Sequence, residues 1–210
     1  MGNRVALVAG LCCCVVAGCG SANPVRGLLG GDGIGNITFG QAPDRVAAGL
    51  ARLLGRRASA SPGGPRDGLF RGICGFHEID WAGLAARSNG SNSVGLIAYF
   101  KRSRFVGYSY GPPYGGPHAP AVRDGLMLST SKGLGLDETL ARGRRLYGQA
   151  FVDTRGTPPF TLLASLPSWK ARTTSGRVYG FVDSPGGPQS TSGRTIGSIS
   201  AGSIPIPPCR

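Results

Sequence analysis

Histidine is nearly absent from this chain: two copies in 210 residues, His77 and His118. Imidazole is the commonest general base and metal ligand near neutral pH, so acid–base and zinc chemistry have few residues to draw on. Carboxylates are also scarce, with ten acidic residues against 23 basic ones. Lysine is rarer still, three copies beside 20 arginines. No apolar run is long enough for a membrane-spanning helix. Val5–Gly18, an unbroken apolar and small stretch, has 14 residues, too few to cross a bilayer core but suited to the hydrophobic region of a secretory signal. Cysteine is confined as well: four of six lie between Cys12 and Cys19, and only Cys74 and Cys209 lie beyond.

The end of that apolar stretch sets the expected address. Cys12–Cys14 are contiguous within it, whereas thiolate ligands of zinc or iron–sulfur sites are spaced along turns. Val16-Ala17-Gly18-Cys19 instead resembles the bacterial lipobox, which implies diacylglyceryl transfer to Cys19 and cleavage before it. Two or three acyl chains suffice for stable anchoring. The expectation is a lipoprotein signal peptide at 1–18 and a lipid-anchored protein on the extracytoplasmic face of the cell membrane; the alternative is an ordinary cleaved signal and a secreted protein. Export leaves Cys74 and Cys209 in an oxidising compartment, where they are expected to form a disulfide contributing at most about 4–5 kcal/mol by loop entropy. Two buried free thiols are the other reading.

A net charge of +13 draws an exported domain toward phospholipid headgroups and acidic envelope polymers. Arginine-rich, lysine-poor composition with abundant glycine and alanine also arises from a GC-rich genome. Nucleic acid is not an expected partner, because export separates the two and no nucleic-acid-binding motif is present.

Glycine and proline cluster in Gly55–Gly68, Gly111–Pro120 and Ser184–Gly193, which read as loops. Between them the patterns are periodic. "GIGNITFG" (Gly33–Gly40) reads as a strand. "APDRVAAGLARLLG" reads as a helix with Pro43 at its first position, Asp44 in its first turn and Gly55 as its stop, burying Val46, Leu50, Leu53 and Leu54 and exposing Arg45, Arg52 and Arg56. "GLGLDETLARGRRLYG" (Gly133–Gly148) matches Gly40–Gly55 over the same span, pairing Asp44 with Asp137 and Arg52 with Arg145. Strand-like segments follow each helix: "GFHEIDWAGL", "VGLIAYF" and "RFVGYSY" after the first, "PFTLLASL", "RVYGFVD" and "TIGSISAG" after the second. The expected fold class is α+β, two similar units, each one helix packed on a small antiparallel sheet. A tether would occupy 19–31, the first unit 32–115 and the second 116–210.

The order of these segments, from the lipobox through "GIGNITFG", "FVGYSYG" and "RRLYG" to "IGSISAG…C", resembles a family of secreted proteins and lipoproteins of mycobacteria and related actinobacteria. The repeated unit is more remotely similar to tandem-repeat β-lactamase-inhibitory proteins and to small lipoproteins of outer-membrane assembly. Those resemblances imply binding of other proteins and no catalysis. One departure stands out: Ala42 occupies the position where such helices carry a capping hydroxyl.

The enzymatic alternative rests on "GYSYG" (Gly107–Gly111), which matches the hydrolase nucleophile pattern around Ser109. The sequel "PPYGGPHAP" cannot begin the helix that such a nucleophile needs, and no carboxylate separates Ser109 from His118. In "FHEIDW", strand alternation puts Glu78 and Asp80 on one face and His77 on the other, a poor metal site. "GGDGIG" lacks the residues of a phosphate loop. No catalytic residue, metal or cofactor is therefore assigned. Tyr108, Tyr110 and Tyr114, with Arg102 and Arg104 nearby, are the candidate binding surface, toward an envelope protein or an anionic polymer; the tyrosines can equally cover a sheet edge.

Overall fold

Period-two alternation dominates the structure. The computed structural model describes residues 25–59, 69–71, 75–86, 93–112, 126–155, 167–183 and 193–204. Its elements run β1 (Val25–Gly30), β2 (Gly33–Ile34), β3 (Ile37–Thr38), α1 (Pro43–Leu54), β4 (Leu69–Arg71), β5 (His77–Ala86), β6 (Ser93–Lys101), β7 (Arg104–Gly111) and β8 (Leu128–Thr130). After them come α2 (Leu140–Tyr147), a 3-10 turn (Gly148–Ala150), β9 (Phe151–Arg155), β10 (Pro167–Thr173), β11 (Gly176–Asp183), β12 (Thr195–Ile196) and β13 (Ile199–Gly202). None of the described helices is long and apolar enough to cross a membrane.

The strands form two sheets. The larger has the order β4-β5-β6-β7-β13-β11-β10-β9, with β12 attached to β11. Every pairing in it is antiparallel. The smaller has the order β3-β2-β1-β8, and its β1–β8 pair is parallel. This corrects the expected fold class: the protein is mostly β, not two units of one helix on a small sheet. The reason lies in the edge of β7. An unpaired strand edge presents free amides and carbonyls, and β13, near the end of the chain, closes that edge while pairing on its other side with β11. The strands of both halves thus merge into one sheet over a shared core. β1 also lies inside the stretch expected as tether, and residues 1–18 lie outside the described residues.

Register explains the core. One row across the larger sheet runs Ile79, Ala98, Tyr108, Ala201, Val178, Ala171 and Phe151, all buried. In β7 a bulge changes the simple alternation: Phe100 opposes Phe105, but Tyr99 opposes Gly107, leaving Val106 as the extra residue. Phe105, Tyr108 and Tyr110 are consequently all buried. The smaller sheet lies over this inner face. Tyr108 donates its hydroxyl to the Gly30 carbonyl of β1 at 2.9 Å, and the Leu128 amide of β8 donates to the Tyr110 hydroxyl at 3.0 Å.

α1 forms where its sequence signals put it, with Pro43 in the first turn and Gly55 in the left-handed conformation at its end. It buries Val46, Leu50 and Leu54; Arg56, expected on the solvent stripe, instead donates to the Gly83 carbonyl at 3.0 Å. α2 is shorter than its matched segment. Asp137 has φ +62°, and the helix starts only at Leu140, where Thr139 Oγ1 accepts from the Arg142 amide. "GIGNITFG" is likewise two short paired strands with a turn at Gly35–Asn36, not one strand.

Candidate functional site

The expected binding surface divides. Arg102 and Arg104 are exposed at the β6–β7 turn, where Arg104 donates to the Gly40 carbonyl at 3.0 Å. Arg102 and Ser103 both have positive φ, 50° and 58°, the signature of a two-residue hairpin turn that follows the twist of its strands. Tyr108 and Tyr110 do not belong to any surface: each is 0 % exposed. This corrects their assignment to recognition. Their rings fill the space between the sheets, and burial pushes both hydroxyls above the usual tyrosine range. Tyr114, Cys19, Cys74 and Cys209 lie outside the described residues.

The opposite, outer face of the larger sheet carries the chemistry. One row across it runs Asp80, Ile97, Ser109, Ser200, Tyr179, Lys170 and Val152, from β5 to β9. The row begins at a carboxylate and reaches a cation five strands away. Burial lifts the Asp80 carboxyl to about 6, opposed by its hydrogen bond to the Trp81 backbone. Glu78 on the same face is raised by burial first and by the Asp80 charge second.

Ser109 is not arranged as a nucleophile. It is 5 % exposed, and Ser200 Oγ donates to Ser109 Oγ at 3.1 Å. "GYSYG" runs along β7 as extended chain and contains no strand-to-helix turn. His77 opposes Phe100 in the register of the inner-face residues Ile79 and Trp81 and is exposed at the strand start, whereas Ser109 belongs to the outer face. Asp80 and Ser109 do line one cleft, together with Gly95, Ile97 and Gly111, but its cavity is about 10 Å³, room for about one water. Among the described residues no group of three or more His, Cys, Asp or Glu side chains converges as a metal site.

At the other end of the outer face lies a larger, open groove of about 340 Å³. The 3-10 turn supplies Gln149 and Ala150, β9 supplies Val152, and the β10–β11 hairpin supplies Lys170, Arg172 and Arg177. Strand alternation puts Lys170 and Arg172 on one face of β10, and hairpin register sets Arg177 directly opposite Arg172. Like charges facing each other across a strand pair repel. Among the described residues none of the three cations makes an ion pair. Asp153 of β9 pairs with Trp169 and so faces the other side of the sheet, where it binds Arg144 at 2.9 Å and Arg194 at 3.2 Å. Val152, 39 % exposed, gives the groove an apolar wall.

Sequence reading missed this groove. "SWKARTTSGRVYGF" carries the signal, two basic residues at alternate positions before a Thr-Ser-Gly turn and a third just after it. Reading it requires recognising Pro167–Thr173 as a strand, whereas the sequence pattern identifies only its partner, "RVYGFVD".

No protein-family model, curated protein or solved structure matches the chain.

Proposed function

We propose that the protein is a lipid-anchored cell-envelope protein, held at the extracytoplasmic face through Cys19, whose β domain binds an anionic envelope component without catalysing a reaction. One observation carries the binding part of this reading: Lys170, Arg172 and Arg177 converge on an open groove with no carboxylate among its lining residues. Desolvating three uncompensated cations is unfavourable, so an anion that neutralises them is favoured; Arg172 and Arg177 are exposed and Lys170 is half-buried. The apolar run ending in Val16-Ala17-Gly18-Cys19 supports the anchor. The separation of His77 from Ser109, on opposite faces of one sheet, speaks against the hydrolase alternative.

The test compares three forms of the full chain for retention by envelope fractions at low and high salt: the unaltered protein, a triple Lys170→Gln, Arg172→Gln, Arg177→Gln variant, and a triple Arg45→Gln, Arg52→Gln, Arg145→Gln variant. The last two lose the same charge, and Arg45, Arg52 and Arg145 are exposed on the helices. Salt-sensitive retention lost only in the groove variant supports the proposal. Equal loss in both variants means that overall charge, not the groove, drives association, and undiminished retention in both rejects an anion-binding role.

A further inference from the structure

From the geometry of the groove we infer that its ligand is a phosphate ester, carried either on a lipid headgroup or on a soluble molecule. The inference rests on the reading of the groove as an anion site and narrows the anion. Arg172 and Arg177 approach from two neighbouring strands, directly opposite each other, and Lys170 stands two residues along β10 on the same face. A carboxylate has two oxygens in one plane, and a single guanidinium satisfies both with its parallel N–H groups. Two guanidiniums on adjacent strands and an ammonium beside them, all lining one groove, match an anion with three or more acceptor oxygens in a tetrahedral arrangement. Placed between the arginines, such an anion replaces their mutual repulsion with two attractions.

The rest of the groove fits the remainder of an ester. Gln149 offers an amide donor and acceptor for hydroxyl groups, while Val152 and Ala150 offer apolar contact to a short carbon chain. At about 340 Å³ the groove has the size of a small-ligand site and admits a headgroup-sized molecule. Among the described residues, the carboxylates that alternation puts on the outer face are Glu78 and Asp80, on β5 at its far end, and Asp183, at the end of β11 away from the hairpin turn; none of them lines the groove.

The experiment titrates the full chain with glycerol 3-phosphate and with succinate, two small dianions of different geometry, following binding by calorimetry. Glycerol 3-phosphate is expected to bind more tightly than succinate by about tenfold, and Arg172→Gln and Arg177→Gln each to weaken it by about tenfold or more, the loss of one charge-assisted hydrogen-bond donor set. Arg45→Gln, on α1, is expected to change nothing. The ligand-free melting temperature of Arg172→Gln serves as the folding control: it is expected to match or exceed the unaltered protein's, because the substitution removes a like-charge pair. Sedimentation with vesicles of phosphatidylglycerol and phosphatidylcholine, against phosphatidylcholine alone, then separates the sources. A phosphatidylglycerol-dependent gain that Arg172→Gln abolishes assigns a lipid-borne ester, and glycerol 3-phosphate binding without that gain assigns a soluble one. Equal binding of succinate and glycerol 3-phosphate, both sensitive to Arg172→Gln, overturns the phosphate inference but leaves an anion groove. Binding of neither anion, or binding that both arginine substitutions leave unchanged, overturns the inference and the groove's role together.

Discussion

Ser109 and Ser200, 91 residues apart, share a hydrogen bond of 3.1 Å across the β7–β13 pair, and both are buried. This contact stitches the two halves of the chain into one sheet. It also gives the one serine that resembles a nucleophile a structural partner. Removing a single hydroxyl leaves the other without that partner, whereas removing both takes away the need. Ser109→Ala is expected to lower stability by about 1–3 kcal/mol, and the Ser109→Ala, Ser200→Ala double variant by less than the sum of the two single changes. Urea denaturation of the four proteins measures this; strict additivity would show that the two hydroxyls are not coupled. Retention by envelope fractions is expected to survive Ser109→Ala.

Gly31 meets the tip of the β10–β11 hairpin. A Cβ added there would collide with the Arg177 amide nitrogen and with the Gly176 backbone, and the Gly31 amide donates to Ser175 Oγ at 3.2 Å. Backbone cannot yield as a flexible side chain can. Gly31→Ala is expected to cost about 1–3 kcal/mol by overpacking, seen as a melting temperature lowered by several degrees, roughly 2–4 °C per kcal/mol. Because Arg177 follows Gly176 directly, the same substitution is expected to weaken anion binding. Unaltered binding in a folded Gly31→Ala protein would mean that the hairpin tip does not position the groove.

Stability is expected to rise as the pH falls from about 7 toward 4. The sign follows from Asp80, whose carboxyl burial lifts to about 6 in the folded protein, against an ordinary aspartate value near 4 in the unfolded chain. Above pH 6 the folded state carries a desolvated charge. Between the two values it binds a proton that the unfolded state does not, so folding gains on the order of 1–2 kcal/mol, complete below the unfolded value. Glu78, also raised, acts in the same direction. Asp80→Asn removes the dominant titrating group, and its urea midpoint is expected to vary less between pH 7 and pH 5 than that of the unaltered protein. An equally steep change in the variant would assign the dependence elsewhere.

The two helices differ at their first residue. Thr139 Oγ1 accepts from the Arg142 amide at the start of α2, while Ala42 provides no side-chain cap for α1 although its backbone is in the extended conformation that a cap requires. Ala42→Ser is therefore expected to stabilise by about 0.5–1 kcal/mol, and Thr139→Ala to destabilise by about 0.5–2 kcal/mol. Shifts of the urea midpoint in opposite directions, at constant slope, would confirm both.

Local chemistry made some of this legible in advance and left the rest to tertiary pairing. Pro43, Asp44 and Gly55 mark the ends of α1 through restricted dihedrals, helix-end charge and left-handed backbone, all properties of a few consecutive residues. The alternation in "FHEIDWAGL", "VGLIAYF" and "RFVGYSY" identifies β5, β6 and β7 and separates Glu78 and Asp80 from His77 for the same local reason. The second helix is shorter than its pattern indicates, because the match to the first extends through Asp137, whose positive φ belongs to a turn. Pairing partners are not a local property. Nothing near Ile199–Gly202 indicates that this strand enters between β7 and β11, and that insertion alone turns two expected units into one sheet. The tyrosines of "GYSYG" take their fate from the same event: the smaller sheet covers the face on which Tyr108 and Tyr110 stand, and the β7 bulge puts Phe105 beside them. The charges of the groove are written in the sequence, but their convergence depends on hairpin register, which sets Arg177 opposite Arg172, and on the 3-10 turn that brings Gln149 and Ala150 to β9. Helix ends and the alternation of the central strands follow from neighbouring residues; which strands meet, and so which side chains are buried together and which cations share a groove, follows only from pairing between segments far apart in the chain.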